Sequence, residues 1–144
     1  MTRTPVIGYT AGVFDMFHIG HLNLLRNARG RSDHLIVGVT TDDLAEEVKG
    51  RRPVIALRER MEIVQSMRYV DAVIPQESMD KLEAWRTLHF DVLFVGENMQ
   101  GPEWRGWETD LAGVGARVVY LPATVGRGGQ LLERTADDLK EAES

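Results

Sequence analysis

Short apolar runs rich in β-branched residues alternate along this chain with amphipathic stretches, and that alternation restricts the fold more than any other feature. Residues 5–10 (PVIGYT), 34–41 (HLIVGVTT), 71–75 (DAVIP), 91–96 (DVLFVG) and 116–122 (ARVVYLP) are the runs; most end at or beside a Pro or Gly. Their nearly unbroken apolarity predicts strands buried on both faces. Between them apolar residues recur at helical spacing. Ile19, Leu22, Leu25 and Ala28 share a face, as do Leu57, Met61, Val64 and Met67; residues 79–88, a Trp-containing segment at 104–113, and 129–142 complete the set. Strand–helix alternation of this kind predicts an α/β fold: about five strands in a mostly parallel sheet with helices on both faces. In such sheets ligands sit beyond the carboxyl ends of the strands, where strand order reverses. No repeat or low-complexity tract interrupts the pattern, and 144 residues predict a single domain over 1–144.

The segment GVFDMFHIGH, residues 12–21, stands where the first strand gives way to the first helix. Gly12 permits a tight turn and close backbone approach, and a helix N-terminus offers N–H groups to an anion. His18 and His21 are three apart, so their rings project to one side of a helix, and Gly20 leaves space for a phosphate. The helix terminus disfavours imidazolium while phosphates favour it, yet either form donates an N–H. Two other uses of the pair are a metal site and an incidental helix start. A metal lacks ligands here: there is no cysteine, and His34 and His89 fall on other elements. KGRRP, residues 49–53, is the one dense basic patch, either a solvated loop or a source of local positive charge. The net charge of −5 argues against general nucleic-acid binding. No apolar run approaches the ~20 residues of a membrane span, and no secretory leader is evident, so a cytoplasmic protein is expected.

GVFDMFHIGH resembles the G-x-F-D…H-x-G-H signature of the small cytidylyltransferases. The likeness continues through RSDHLIVGVTTDD, KGRRP, RERMEIVQSMRYVDAVIP (with Arg60 and Arg68) and DVLFVGEN, and is greatest to the glycerol-3-phosphate cytidylyltransferases. Aminoacyl-tRNA synthetases share H-x-G-H, but they need several hundred residues and a second lysine-bearing loop. The resemblance implies a Rossmann-like nucleotidylyltransferase fold and transfer of CMP from CTP to a phosphorylated small alcohol such as glycerol 3-phosphate, with release of pyrophosphate. It implies His18, His21 and Lys49 as catalytic residues, with Lys49 on a mobile loop. Nucleotide and phosphate contacts are expected from Gly12, Val13, Phe14, Gly20, Arg68 and Gly96. Asp15 matches the position that supports the loop, although an N-cap role fits equally. Mg²⁺ is expected with the triphosphate, without protein metal ligands, and a homodimer is implied.

The likeness breaks after the last strand. Where the family reads R-T-E-G-I-S-T-T or a close variant, this chain has ATVGRGG: Ala123 replaces the arginine, Val125 the glutamate, and Gly128-Gly129 the hydroxyl pair, while Thr124 and Gly126 are kept. Met79 falls near a tryptophan of the glycerol-3-phosphate enzymes, and Glu97-Asn98-Met99 replaces a more acidic turn. Phosphate contacts from Thr124, Arg127, Gly128 and Gly129 are expected if this segment keeps its role; otherwise it is a plain glycine turn. Alternatives remain on sequence alone: an adenylyltransferase using ATP on a sugar phosphate, a phosphonate acceptor, or a regulatory nucleotide-binding protein.

Overall fold

In a computed structural model, residues 4–97 and 101–122 are described. Strands β1 (Ile7–Gly12), β2 (His34–Thr40), β3 (Ala72–Gln76), β4 (Val92–Gly96) and β5 (Arg117–Leu121) form one sheet in the order β3-β2-β1-β4-β5, and every pairing is parallel. The helices are α1 (Ile19–Gly30), α2 (Asp42–Lys49), α3 (Leu57–Gln65), α4 (Lys81–Leu88) and α5 (Pro102–Ala112). The expected helix over 129–142 lies outside the described residues. Among the described residues no helix is long and apolar enough to cross a membrane.

Side chains alternate across each strand, so the sheet divides the core in two. Leu35, Val37 and Val39 of β2 and Val92 and Phe94 of β4 face α1 and α3, meeting Leu25, Ala28 and Val64. Ile36, Leu93 and Tyr9 face the opposite way, toward Leu82 and Trp85 of α4 and Trp104 and Leu111 of α5. Phe94 is fully buried, and a side chain of that size contributes roughly 2–3 kcal/mol when removed from water.

Three aspartates hold the amino edge of the sheet by one device. Each stands just before a strand and accepts a main-chain N–H of the neighbouring strand segment. Asp33 takes Val6 N–H at 2.7 Å, Asp71 takes Leu35 N–H at 2.8 Å, and Asp91 takes Ile7 N–H at 2.8 Å. Donors at a strand start would otherwise lack a partner.

Four elements depart from the sequence expectation in ways with a physical cause. β1 begins at Ile7 because Pro5 has no N–H for the ladder, and it extends to Gly12, which pairs with Val39. α2 was not expected; at eight residues, with only Leu44 and Ala45 buried, it is shorter than the window over which helical periodicity is read. α3 stops at Gln65, where the Ser66 hydroxyl donates back to Ile63 O at 2.6 Å, so Met67 to Val70 turn and deliver Asp71 to β2. α4 starts at Lys81 because Asp80 is its N-cap, accepting from Leu82 and Glu83 N–H.

Candidate active site

β1 and β4 are neighbours, but the chain leaves β1 for α1 on one face and β4 for α5 on the other. Their carboxyl ends therefore flank the crevice at which such sheets bind ligands. Gly12 and Gly96 end these two strands.

The turn out of β1 is not made by Gly12. Phe14 and Met16 take the left-handed backbone, at φ 53° and 48°, a conformation that costs a side-chain-bearing residue about 1–2 kcal/mol. Gly12 serves by lacking a Cβ, which would lie 3.2 Å from the Phe14 ring. That ring is buried and meets His21 edge-on, with centroids 5.3 Å apart. Two strained residues separated only by Asp15 mark a segment held in shape by its surroundings.

Those surroundings are specific. Asp15 accepts from Val54 N–H at 2.8 Å and Ile55 N–H at 2.9 Å, tying the β1 turn to the chain between α2 and α3. Asp15 is therefore a loop support, and the N-cap of α1 is His18. Arg60 is fully buried and donates to four acceptors: Ile55 O, Val13 O and Thr40 O, each at 2.7 Å, and Asp42 Oδ1 at 2.6 Å. One guanidinium thus joins the ends of β1 and β2, the start of α2 and the loop before α3. The carbonyl of Val13 is taken by this contact.

His18 and His21 open α1 as a reciprocal cap. Gly20 N–H donates to His18 Nδ1 at 3.0 Å, and His18 N–H donates to His21 Nδ1 at 3.3 Å. In the usual capping box a hydroxyl and a carboxylate play these parts; here two imidazoles do. An Nδ1 that accepts carries no proton, so each neutral ring carries its proton on Nε2. The rings stack with centroids 3.9 Å apart. Burial first, then the electrostatic influence of His18 and Lys49, push the His21 pKa down to about 4, against a smaller opposing pull from Asp15. At neutral pH His21 is an uncharged Nε2–H donor.

Lys49 is the last residue of α2 rather than a loop residue, and Gly50 caps that helix at φ 81°. Its charge reaches His21. In KGRRP, Arg52 is bound to the acidic face of α2, 2.8 Å from both Asp43 and Glu46. Asp42, between Arg60 and Arg52, is held below the usual carboxylate range; hydrogen bonds from Arg60 and Leu57 N–H outweigh the opposing effect of desolvation.

Arg68 is not brought to this site. It follows α3 at the amino edge of the sheet, exposed, with its guanidinium 5.2 Å from the Tyr69 ring centre and Arg26 beside the same ring at 5.7 Å. Thr124, Arg127, Gly128 and Gly129 lie outside the described residues, as do Asn98 and Met99. His18, Gly20, His21, Phe14 and Gly12 are gathered at the start of α1, with Lys49 close enough to act on His21. Among the described residues no three His, Asp or Glu side chains gather as a metal cage.

Sequence reasoning gave Arg60 no structural part, although a signal existed: it lies three residues after Leu57 and four before Val64, on the apolar stripe. Lys81 also went unnoticed. It is 8% exposed, its ammonium stands 5.6 Å from the Trp104 ring centre, and burial lowers its pKa.

A parallel sheet whose first helix begins at the strand-order reversal with H-x-G-H is the framework of a nucleotidyltransferase. The chain belongs to the cytidylyltransferase-like family, whose model matches residues 9–136. It is 36% identical over 118 residues to a glycerol-3-phosphate cytidylyltransferase of Staphylococcus aureus, covering 81% of this chain and 84% of that one. It is 38% identical over 88 residues to an FAD synthase of Thermococcus sibiricus, covering 60% of each chain. To the bifunctional protein HldE of Desulfatibacillum aliphaticivorans it is 37% identical over 114 residues, 78% of this chain but 23% of that protein. The chain thus spans 60% of the length of the second and 23% of the third of these relatives. A lipopolysaccharide core biosynthesis protein of Thermoplasma volcanium has the same fold, with TM-score 0.72, 21% identity and coverage of 85% and 99%.

Proposed function

We propose that this nucleotidyltransferase transfers CMP from CTP to a phosphorylated small alcohol of the glycerol 3-phosphate kind. The observation that carries the reading is the near end-to-end likeness to the S. aureus glycerol-3-phosphate cytidylyltransferase. A phosphate oxygen of the acceptor attacks the α-phosphorus of CTP, the bond from that phosphorus to the bridging oxygen breaks, and pyrophosphate leaves with the electron pair. The attacking oxygen is ionised at neutral pH, so no general base is needed. What remains is alignment of three groups and stabilisation of the charge that shifts between them.

The His18 and His21 Nε2–H groups are proposed to donate to the nucleotide's phosphate oxygens. Their direction is set in advance because each Nδ1 is engaged by a main-chain N–H. Lys49 is proposed to neutralise the same oxygens from the end of α2. Mg²⁺ is proposed to arrive on the triphosphate, where it would be held chiefly by phosphate oxygens and supply charge neutralisation. Thr124, Arg127, Gly128 and Gly129 are proposed to complete the phosphate contacts, and a homodimer is proposed, to be read from light scattering.

A second reading has its own support: the identity to an FAD synthase, whose product contains an adenine nucleotide, matches that to the S. aureus enzyme. Pyrophosphate release distinguishes them, crossing CTP, ATP, UTP and GTP with glycerol 3-phosphate, sugar phosphates, flavin mononucleotide and phosphonates. CTP with a small alcohol phosphate is expected to be the best pair. A preference for ATP replaces the first reading with the second, and release with no pair rejects both.

A further inference from the structure

The buried hydroxyl groups of the described residues are spent on oxygen acceptors, with one exception. Thr10 donates to Phe94 O at 2.9 Å, Ser32 to Ala28 O at 2.9 Å, and Thr40 to Gln76 Oε1 at 2.6 Å. The Tyr9 hydroxyl, on a residue 2% exposed, has no hydrogen bond with any described residue. Its ring stacks on Phe90 with centroids 5.3 Å apart, and its oxygen lies over Gly38, where a Cβ would collide with it. Tyr9 pairs with Ile36, so the side chain leans two residues along the sheet, toward the carboxyl ends of the strands. No enclosed polar side-chain atom among the described residues lacks a partner, so solvent reaches this oxygen although the ring is buried. Burial pushes the Tyr9 pKa up to about 12, and the neutral hydroxyl can both donate and accept.

Gln76 stands one pleat farther on, about 7 Å along the sheet from Gly38. It ends β3 beside Thr40, the last residue of β2, and by strand alternation both lie on the same face as Tyr9. At 6% exposed, Gln76 takes the Thr40 hydroxyl on Oε1, while its amide N–H groups meet no acceptor among the described residues. Two buried side chains with unspent hydrogen-bonding capacity thus stand close together at the ligand-binding end of an otherwise apolar layer, and buried polar groups call for partners. Displacement at phosphorus puts the attacking and leaving oxygens roughly in line, on opposite sides. With the pyrophosphate end of the nucleotide at the start of α1, the acceptor comes from the other face of the sheet, where Tyr9 and Gln76 are. Its phosphate attacks, so its carbon chain and hydroxyl groups are what this face must hold. We infer that Tyr9 and Gln76 hydrogen-bond the alcohol hydroxyls of the acceptor, and so select polyol phosphates over plain alkyl phosphates. The inference rests on the transfer reading above.

Tyr9→Phe tests it by removing one oxygen while keeping the ring on Phe90. Gln76→Met alone would strand the Thr40 hydroxyl, so it is combined with Thr40→Val, which makes both partners apolar at similar size. Urea melts confirm folding. With CTP saturating, kcat/KM is measured for glycerol 3-phosphate and for propyl phosphate, which has the same chain length and no hydroxyl. The preference for glycerol 3-phosphate should fall about threefold to tenfold in Tyr9→Phe and in the double variant, the size of a lost neutral hydrogen bond. An unchanged preference in Tyr9→Phe, or a loss shared equally by the two acceptors, overturns the assignment. A preference unchanged in the double variant alone removes Gln76 from it. Calorimetric titration of both phosphates into the wild type and the variants separates this from failure of the transfer reading. Tighter binding of glycerol 3-phosphate that weakens in the variants supports the hydroxyl site even if no pair releases pyrophosphate. Equal binding of the two phosphates by the wild type overturns it even if CTP is turned over.

Discussion

At the scale of the residue, His21 carries the sharpest expectation. In the folded chain its pKa is pushed down to about 4, from 6.5. Between those values the unfolded chain binds more protons, so stability is complete above about pH 6.5 and falls as pH drops toward 4, by about 3 kcal/mol at most. Urea melts across this window should show the loss, and His21→Asn should remove most of it. Nitrogen-15 NMR should find the proton on Nε2 at pH 7 and a titration well below 6; an ordinary titration near 6.5 would refute the buried, doubly repelled imidazole. Bound triphosphate offsets the Lys49 charge, so the same titration should move upward with CTP and Mg²⁺. In catalysis, His21→Ala and Lys49→Ala should each lower kcat by ~10² or more with smaller effects on KM. A variant with near-normal kcat would be struck from the catalytic set.

At the scale of the element, the segment between α2 and α3 is fastened by side chains from elsewhere. Asp15→Ala removes the acceptors of two main-chain N–H groups. Hydrogen exchange at Val54 and Ile55 should quicken, with a stability cost of about 1–3 kcal/mol; unchanged exchange would show that the segment is held by other contacts. The strand edges offer a parallel case. Asp71→Ala should cost a similar amount by freeing Leu35 N–H and breaking the 3.0 Å contact with Arg29, while leaving nucleotide KM alone because Asp71 lies at the opposite end of the sheet from His18. The strands were legible in the sequence because burial on both faces writes an unbroken apolar run. α2 was not, since its eight residues fall short of the window over which helical periodicity is read. The turn after β1 was assigned to Gly12 because glycine is the usual carrier of a left-handed backbone, whereas tertiary contacts impose that conformation on Phe14 and Met16.

At the scale of the whole molecule, Arg60 is the joint between the site and the core. Arg60→Met would strand Asp42 and three carbonyl oxygens, and leaving buried partners in that state costs about 3–5 kcal/mol. Urea denaturation should show a loss of that size; a change under 1 kcal/mol would mean that water replaces the guanidinium readily. The H-x-G-H pair and the place of its helix were readable from spacing. The long-range partners of Arg60, Asp15 and Lys81 were not, because residues 18 to 47 apart in sequence meet only once the sheet is wound. Arg68 shows the converse. Proximity in a motif suggested a phosphate contact, while the fold carries it to the far edge beside Tyr69.

The reciprocal cap at the start of α1 bears on how this protein can change over time. Enzymes commonly keep reactive groups at some expense to the fold, so that variants chosen for robustness drift toward inactivity. Here the imidazole nitrogens that close the first helical turn belong to the same rings whose opposite nitrogens are proposed to donate to the nucleotide. A population of variants screened for heat resistance alone, with no demand for turnover, should therefore retain His18 and His21 more often than the exposed cations Lys49 and Arg52, which the helix does not require.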